Sequence, residues 1–411
     1  MTTELPKNPP ARVAYLNITT DQELQAFCDQ LARCRWLAFD TEFVSEATYR
    51  PVLCLVQVAT EGQLALIDAL AVQDMTPFWE VVAQPSHETI VHAGRGEVEF
   101  CLRAVGRVPA RLFDVQLAAG LIGIEYPAGF RTLIYRVLGQ SSKKEETRTD
   151  WRRRPLSERQ IQYALDDVRH LAALRDRLRE ELERRGRLGW LEDEMVAWQQ
   201  EVEKAFTQER WRRVSGTSSL DRRGLAIVRE LWRWREAEAQ RRNCPTRRVL
   251  RDDLIVELAK RQSADVKRIQ AVRGLERGDL TRHLPKLAAC IDLALKLPEQ
   301  ELPEAFRHES VPQLSVLGQF LFAALGSVCR QADLAPGLVG NPNDIRELIA
   351  YRAGQINCSE PPVLARGWRA EVVGQLFDEL LAGKKAIRIA NPDSDHPLVF
   401  EELAPNGAPR S

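Results

Sequence analysis

The chain has no stretch approaching the roughly 18 consecutive apolar residues that a membrane-spanning helix needs. Its first residues, MTTELPKNPPARVAYL, lack the basic-then-apolar order of a secretory signal. The eight cysteines include no CxxC pair and sit mostly among apolar neighbours, so they read as reduced, buried thiols of a cytoplasmic protein and not as a disulfide framework. The six histidines are scattered, which argues against a His/Cys zinc site. What is present describes a soluble globular protein, with 44% hydrophobic and 28% charged residues. At 411 residues it is too long for one compact core and implies two or three domains.

The net charge of zero conceals a gradient. Residues 205–251 carry 13 arginines against 5 acids, a balance of +8, whereas residues 297–411 carry 10 basic and 15 acidic residues. A localised positive stretch is the footprint expected of a surface that holds a polyanion. Helix faces laced with internal ion pairs have the same composition, and both readings stand at this level.

The segment TTDQELQAFCDQLARC opens with a Thr/Asp cap and carries apolar residues at helical spacing. WLAFDTEF, LCLVQVAT and LALIDAL are β-like runs separated by turn formers, and TIVHAG is a fourth that leads into the helix EVEFCLRAVG. RLFDVQLAAGLIG and GFRTLIYRVLG read as helices, and residues 157–186 as one long helix with a glycine stop. Strands followed by helices predict a mixed α/β domain over residues 1–195, followed by a linker helix or loop at 196–217. Beyond it the strand signal stops. GLAIVRELWRWREAEAQRRN is amphipathic, with Leu225, Val228, Leu231 and Trp232 on one stripe, which assigns Trp232 to a helical core. The pattern predicts a helical domain over 218–298, a Pro- and Glu-rich linker at 299–312, and a second helical segment over 313–411 with a strand signal at KAIRIA.

Alternation along WLAFDTEF puts Asp40 and Glu42 on one face with Ala38 below them, and Leu37, Phe39 and Phe43 on the other. Two carboxylates side by side in a half-buried place repel unless something positive lies between them, and a divalent metal answers that need. An ordinary solvated strand face fits the same spacing, which recurs at Glu97/Glu99 and Glu192/Glu194. Further on, Tyr163 and Asp167 are four apart on a predicted helix and so share a face. Glu97 follows a strand and a turn, near a helix N-terminus. Asp40, Glu42, Glu97 and Asp167 make an all-oxygen ligand set suited to hard cations such as Mg²⁺ or Mn²⁺. Two such ions stabilise both the attacking and the leaving oxygen in phosphodiester cleavage, and Tyr163 would orient the attacking water.

FDTEF, YRPVLCLVQVA, VHAG, LFDVQLAAGL and RTDWRRRPLSERQIQYALDDVRHL, in this order and spacing, closely resemble the bacterial ribonuclease D family over residues 13–190. That family belongs to the tyrosine subgroup of the DEDD exonucleases. The resemblance implies a ribonuclease-H-like α/β 3′-5′ exonuclease domain, a mixed sheet with flanking helices, followed by two all-α HRDC-type domains. The helix at 224–242 with CPTRRVLRDDLIVELAKR resembles the first HRDC module, and the C-terminal segment a more divergent second one. It further implies that Asp40 bridges both metals, that Glu42 is its partner on the first, and that Asp167 and Tyr163 are the third-motif acid and the water-positioning tyrosine. Glu97 stands where the family has aspartate. The extra methylene makes this the one departure, because Mg²⁺ tolerates misplaced oxygens poorly.

Other polar residues have plainer expectations. Asp114 caps or orients structure, His92 is a near-core residue, and Asp166 faces solvent one residue off the Tyr163/Asp167 face. Trp151 with Arg148, Arg152, Arg153 and Arg154 either holds the RNA backbone or forms a folded loop with internal ion pairs. The function implied is a metal-dependent 3′→5′ exoribonuclease that trims structured RNA such as precursor transfer RNA, with no membrane partner. The alternatives are a DNA 3′-5′ exonuclease with the same chemistry and an RNA-binding protein with an impaired site.

Overall fold

The computed structural model describes residues 14–141, 149–276, 278–305, 312–356 and 360–403. Six strands, β1 (Leu16–Ile18), β2 (Trp36–Val44), β3 (Val52–Thr60), β4 (Gln63–Ile67), β5 (Glu88–Val91) and β6 (Leu112–Asp114), form one sheet in the order β1-β4-β3-β2-β5-β6. β3 runs antiparallel to both neighbours and the other pairs are parallel. Leu37, Ala38 and Phe39 in the middle of the sheet are all fully buried, so the run is apolar on both faces as strands with parallel partners require. Around it lie α1 (Asp21–Leu31), α2 (Thr76–Val82), α3 (Arg95–Val105), α4 (Val115–Gly120), α5 (Phe130–Leu138), α6 (Glu158–Arg169), α7 (Leu171–Arg184) and α8 (Leu188–Thr207). Thr20 closes a capping box with Glu23 at the head of α1.

Three expectations are corrected here. The helix predicted over 157–186 is two helices that meet at His170, because α6 lies on β2, β3 and β4 while α7 packs against α4 and α5. RLFDVQ is not helical at its start. It is the edge strand β6, and Asp114 ends it by capping α4 through the Gln116 N–H at 2.8 Å. α8 runs without interruption through residue 195 and buries Leu191, Met195 and Val202 in the core under the sheet, so the first unit extends to about 207.

The next unit, α9 (Arg222–Arg241), α10 (Thr246–Val249), α11 (Asp252–Arg261), α12 (Val266–Gln270), α13 (Gly278–Thr281) and α14 (Leu284–Leu295), has its own core around Leu225, Leu231, Ile255, Leu258 and Ile291. Trp232 packs against that core, as its stripe predicted. The nuclease-like unit meets this one through Tyr49. Its hydroxyl donates to Glu236 at 3.1 Å, its N–H donates to Asn243 Oδ1 at 3.3 Å, and its ring lies on Ala239, Cys244 and Val249.

The last unit is built differently from the expectation of an independent domain. Helices α15 (Pro312–Gln331), α16 (Pro336–Val339), α17 (Pro342–Arg352), α18 (Gly367–Arg369) and α19 (Gln375–Leu381), with a hairpin of β7 (Lys385–Ile389) and β8 (Leu398–Glu402), share one continuous core with the first unit. KAIRIA thus falls on β7, as its strand signal predicted. Gly123 (φ +88°) lets the backbone of Asp333 come within 3.1 Å of where a Cβ would sit. Arg187 donates to the carbonyls of Leu121 (2.8 Å) and Asp333 (2.9 Å), tying the two segments together. On α8, Glu194 accepts two bonds from Arg369, at 2.6 and 2.8 Å. The guanidinium also stacks on Trp368 at 4.3 Å, and Trp368 stacks on Trp190 at 5.4 Å.

Because both partners of the Glu194–Arg369 pair are largely buried, Glu194→Ala strands a cation in a poorly solvated place. We expect a loss of about 3 kcal/mol in urea unfolding. A loss below about 1 kcal/mol would mean that apolar packing alone holds the C-terminal unit.

Candidate active site

β5 pairs with β2 only over Trp36–Ala38, while β3 follows β2 from Ala38 to Val44. Beyond Ala38 the strand therefore has one free edge, and that is where Asp40 and Glu42 stand. They share a face, as the alternation predicted, and the helix α6 adds Asp167 to them. One carboxylate oxygen from each of Asp40, Glu42 and Asp167 lies within 4.8 Å of the others. A register shift between Glu42 and Phe43 skips Cys54 on β3 and adds no residue to β2. Phe43 keeps the face expected for it beside Phe39: it meets Phe100 edge-on at 5.5 Å, and Phe100 stacks on Trp79, which Phe39 also touches, although Phe43 itself is 40% exposed.

Glu97 comes from the first turn of α3 and is 5% exposed. It is not part of the trio. Its Oε1 accepts the Thr41 hydroxyl at 2.5 Å, and its charge is felt by Glu42 and Asp40. Thr41 is a residue the sequence reading passed over, although a threonine between two acids was the available signal. The turn that delivers α3 is held from below. Asp114 accepts the N–H groups of Ala93 (3.1 Å) and Gly94 (2.9 Å), and Ala93 sits in the left-handed region at φ 53°. A Cβ on Gly94 would stand 2.4 Å from Val91 Cγ2, so only glycine fits. Asp114 is thus an orienting and capping residue, as expected, not a ligand.

Ser157 and Gln160 close a capping box at the head of α6, and Ala164, Leu165 and Val168 anchor the helix to the sheet. The opposite side presents Tyr163 and Asp167 one turn apart, with the phenol close enough to the Asp167 carboxylate to feel its charge. Together with Asp40, His92, Phe130 and Leu171 they line a cleft of about 210 Å³. Phe130 and Leu171 had no local signal, since their place follows from the packing of α5 against α7. His92 is fixed by a 2.9 Å bond from Nε2 to the Ala128 carbonyl and lies 5.3 Å from the Phe130 ring. Asp166 pairs with Arg169 at 3.0 Å, off the site.

The residues expected to hold RNA take other places. Trp151 is 5% exposed and packs 6.0 Å from the Tyr163 ring, so it supports α6 from a small core instead of offering an open surface. Arg152 makes two bonds to Asp150 at 2.9 and 3.1 Å, and Arg153 reaches the same carboxylate at 3.9 Å. Arg154 clips the loop to the sheet by donating to Asp68 (2.7 Å), the Cys54 carbonyl (2.8 Å) and the Trp151 carbonyl (2.7 Å). Arg148 lies outside the described residues. Beside the loop runs a groove of about 480 Å³ lined by Glu42, Val44, Thr149 and Arg152.

The acids raise one another. Burial, followed by the charges of Asp40 and Asp167, pushes Glu42 up to about 9. Asp40 is raised by burial and then by Asp167, and Glu97 by burial and then by Asp40. The Tyr163 phenol is raised far above its ordinary value by burial and the neighbouring carboxylates, so it stays neutral. An all-oxygen set of mutually repelling carboxylates fits hard divalent metal ions. Asp40, Glu42 and Asp167 are the group near enough to one another to hold such an ion.

Comparison with known proteins agrees with this geometry. A family model described as 3′-5′ exonuclease matches residues 15–183, and one described as HRDC domain matches residues 224–291. The chain is 35% identical over 364 residues to ribonuclease D of Granulibacter bethesdensis, covering 87% of this chain and 90% of that protein. It is 35% identical over 372 residues to ribonuclease D of Gluconacetobacter diazotrophicus, covering 89% and 92%. The crystal structure of Escherichia coli RNase D, described as an exoribonuclease involved in structured RNA processing, superposes with a TM-score of 0.79 at 28% identity. That match spans 90% of this chain and 99% of the other.

The raised carboxylates fix the sign of a pH effect in metal-free buffer. The folded state holds protons that the unfolded chain releases near pH 4, so stability falls as pH rises from there towards about 9, the value for Glu42. Thermal melts between these limits should show Tm declining with pH, and Asp40→Asn should flatten the decline by removing one mutually repelling charge. A variant whose melting profile stays parallel to that of the parent protein would place Asp40 outside the repelling set.

Proposed function

The chain belongs to the ribonuclease D family and is a 3′-5′ exoribonuclease, and from that premise we propose that Asp40, Glu42, Asp167 and Tyr163 carry its reaction. The observation behind this assignment is the convergence of three carboxylates within 4.8 Å, with the Tyr163 phenol beside them in one cleft. Divalent cations, which we take to be two Mg²⁺ or Mn²⁺, would lower the pKa of water and offset the charge of the leaving oxygen. Asp40, Glu42 and Asp167 would hold them. Glu97 completes the set in this proposal, its longer side chain steered by the Thr41 hydroxyl. Tyr163 acts as a neutral hydrogen-bonding group that orients the attacking water, because its raised phenol keeps its proton throughout the working range. His92 Nε2 is bound to a carbonyl, so that nitrogen serves as an N–H donor and not as a base.

The proposed substrate is structured RNA with a 3′ tail, such as precursor transfer RNA. The family relation and the arginine-rich HRDC unit support it. Within 205–251, Arg222, Arg223, Arg229, Arg233, Arg235, Arg241 and Arg251 are engaged by acidic neighbours. Arg242, Arg247 and Arg248, at the elbow between α9 and α10, form no ion pair among the described residues and are the phosphate contacts of this reading. The C-terminal helices are assigned to a second HRDC-like unit. The proposed domain borders are those read from the sequence, with the first moved to the end of α8.

The decisive assay is incubation of purified protein with 3′-labelled RNA and matched DNA in Mg²⁺, Mn²⁺ or EDTA. RNA should shorten stepwise with metal and not at all in EDTA, and DNA should react far more slowly. DNA degraded equally fast would assign a general exonuclease, and inactivity in both metals an impaired site. Tyr163→Phe should lose about 10²–10³-fold in single-turnover rate while calorimetry finds metal affinity retained. Collapse of metal binding in that variant would make Tyr163 a structural residue. Converting Arg242, Arg247 and Arg248 together to Glu should flatten the salt dependence of RNA binding by about two units of slope. An unchanged slope would remove the elbow from the RNA path.

A further inference from the structure

Phe130, the first residue of α5, lines the catalytic cleft with Asp40 and Tyr163. The residues that follow it on the same helix, Arg131, Thr132, Tyr135 and Arg136, line a separate open hollow of about 500 Å³. Arg131/Tyr135 and Thr132/Arg136 are pairs four apart, so the four side chains form one outward stripe, while Leu133 and Ile134 bury the other side. The two basins are electrostatic opposites. The charged residues on the wall of the cleft are aspartates, and those on the wall of the hollow are arginines.

Tyr135 is 66% exposed. Core packing therefore does not explain a large aromatic ring at this position. Arg136 is exposed and forms no ion pair among the described residues, in contrast to Arg152, Arg154 and Arg369, each held by a carboxylate. An open face that combines an aromatic plane with uncompensated guanidinium charge suits single-stranded nucleic acid, whose bases stack and whose phosphates are anionic. Along the helix axis Arg136 lies about 9 Å beyond Phe130. A strand that leaves the cleft past Phe130 reaches this face a short way upstream.

We propose that the outward face of α5 is a subsite for the RNA strand upstream of the terminal dinucleotide, with Tyr135 stacking a base and Arg136 contacting a phosphate. This rests on the exoribonuclease reading of the cleft, whose wall residue Phe130 immediately precedes the face on α5. The subsite sets how well a strand is held and leaves the chemistry to the acids. It therefore acts on KM for substrates long enough to reach it.

The test compares a dinucleotide with a longer single-stranded oligoribonucleotide for wild type, Tyr135→Ala, Tyr135→Phe and Arg136→Glu. Tyr135→Ala should raise KM for the longer strand about ten-fold, with kcat and dinucleotide cleavage unchanged. Tyr135→Phe keeps the ring and should behave as wild type. Arg136→Glu should lower the salt slope of binding by about one unit. Fluorescence anisotropy of the longer strand in EDTA reads the same contacts without cleavage. An inactive wild type would thus refute the catalytic reading, whereas unchanged affinity in Tyr135→Ala and Arg136→Glu would refute the subsite and assign the face to another occupant. Equal losses on both substrates would also overturn it, because they would mark damage to the cleft itself.

Discussion

Three carboxylates that repel one another must be kept within a few ångströms, and much of the first unit is arranged to keep them there. No single element supplies all three. Asp40 and Glu42 need a strand that is rigid yet open along one edge, and β2 is both, because its apolar middle is buried on two faces while β5 stops short of the acids. Asp167 needs a helix that neither slides nor rotates. The Ser157 capping box, the Trp151 plug beside Tyr163 and the Arg154 clip to Asp68 and Cys54 fix α6 at its start, along its flank and through the preceding loop. The carboxylates themselves favour separation, so this scaffolding opposes a repulsion that only protons or metal ions relieve.

The parts of this arrangement that obey a short period were legible in the sequence. A strand repeat of two put Asp40 and Glu42 on one face, and a helix repeat near four put Tyr163 over Asp167. What escaped has no period. β1 and β6 are three-residue edge strands, too short to show alternation. The bend at His170 follows from α6 and α7 choosing different partners, which a uniformly helical pattern cannot express. Glu97 was expected beside the other acids. It stands a step away on Thr41, because a strand and a helix meet there at an angle that only the assembled sheet defines.

Charge was the least transferable of the signals. The arginine-rich stretch at 205–251 reads as +8 in the sequence, yet most of its guanidinium groups are engaged by acids from α9, α11 or the 299–301 turn. Arg152 and Arg154 are likewise spent within their own loop and its clip to the sheet. Conversely, α5 carries no unusual charge density, and its arginines acquire meaning only from lying on the outward stripe next to the cleft. The composition of a segment counts charges, whereas a polyanion responds to those left without a partner at the surface. The C-terminal unit makes a related point for packing. Its helices read as an autonomous domain, but their apolar faces complete the core under α8, a fact written in the partner surface and not in their own periodicity.

An acidic cleft is a poor place to bring a polyanion. Without metal, as the wall formed by Asp40, Glu42 and Asp167 loses its protons, it takes the same sign as the phosphates of an RNA strand, so the two repel at close range. Cation binding reverses that sign locally and removes the repulsion among the acids in the same act. Metal and RNA must therefore strengthen each other's binding, and by the same factor in each direction, as linkage requires. The attraction that brings RNA to the protein has to come from elsewhere, from surfaces with uncompensated arginine that do not depend on the metal. Arg242, Arg247 and Arg248 at the α9–α10 elbow and Arg136 on α5 form no ion pair among the described residues, which is why both proposals place RNA contacts there. Under those proposals capture and chemistry fall on different residues, and the first can proceed at metal concentrations where the second cannot.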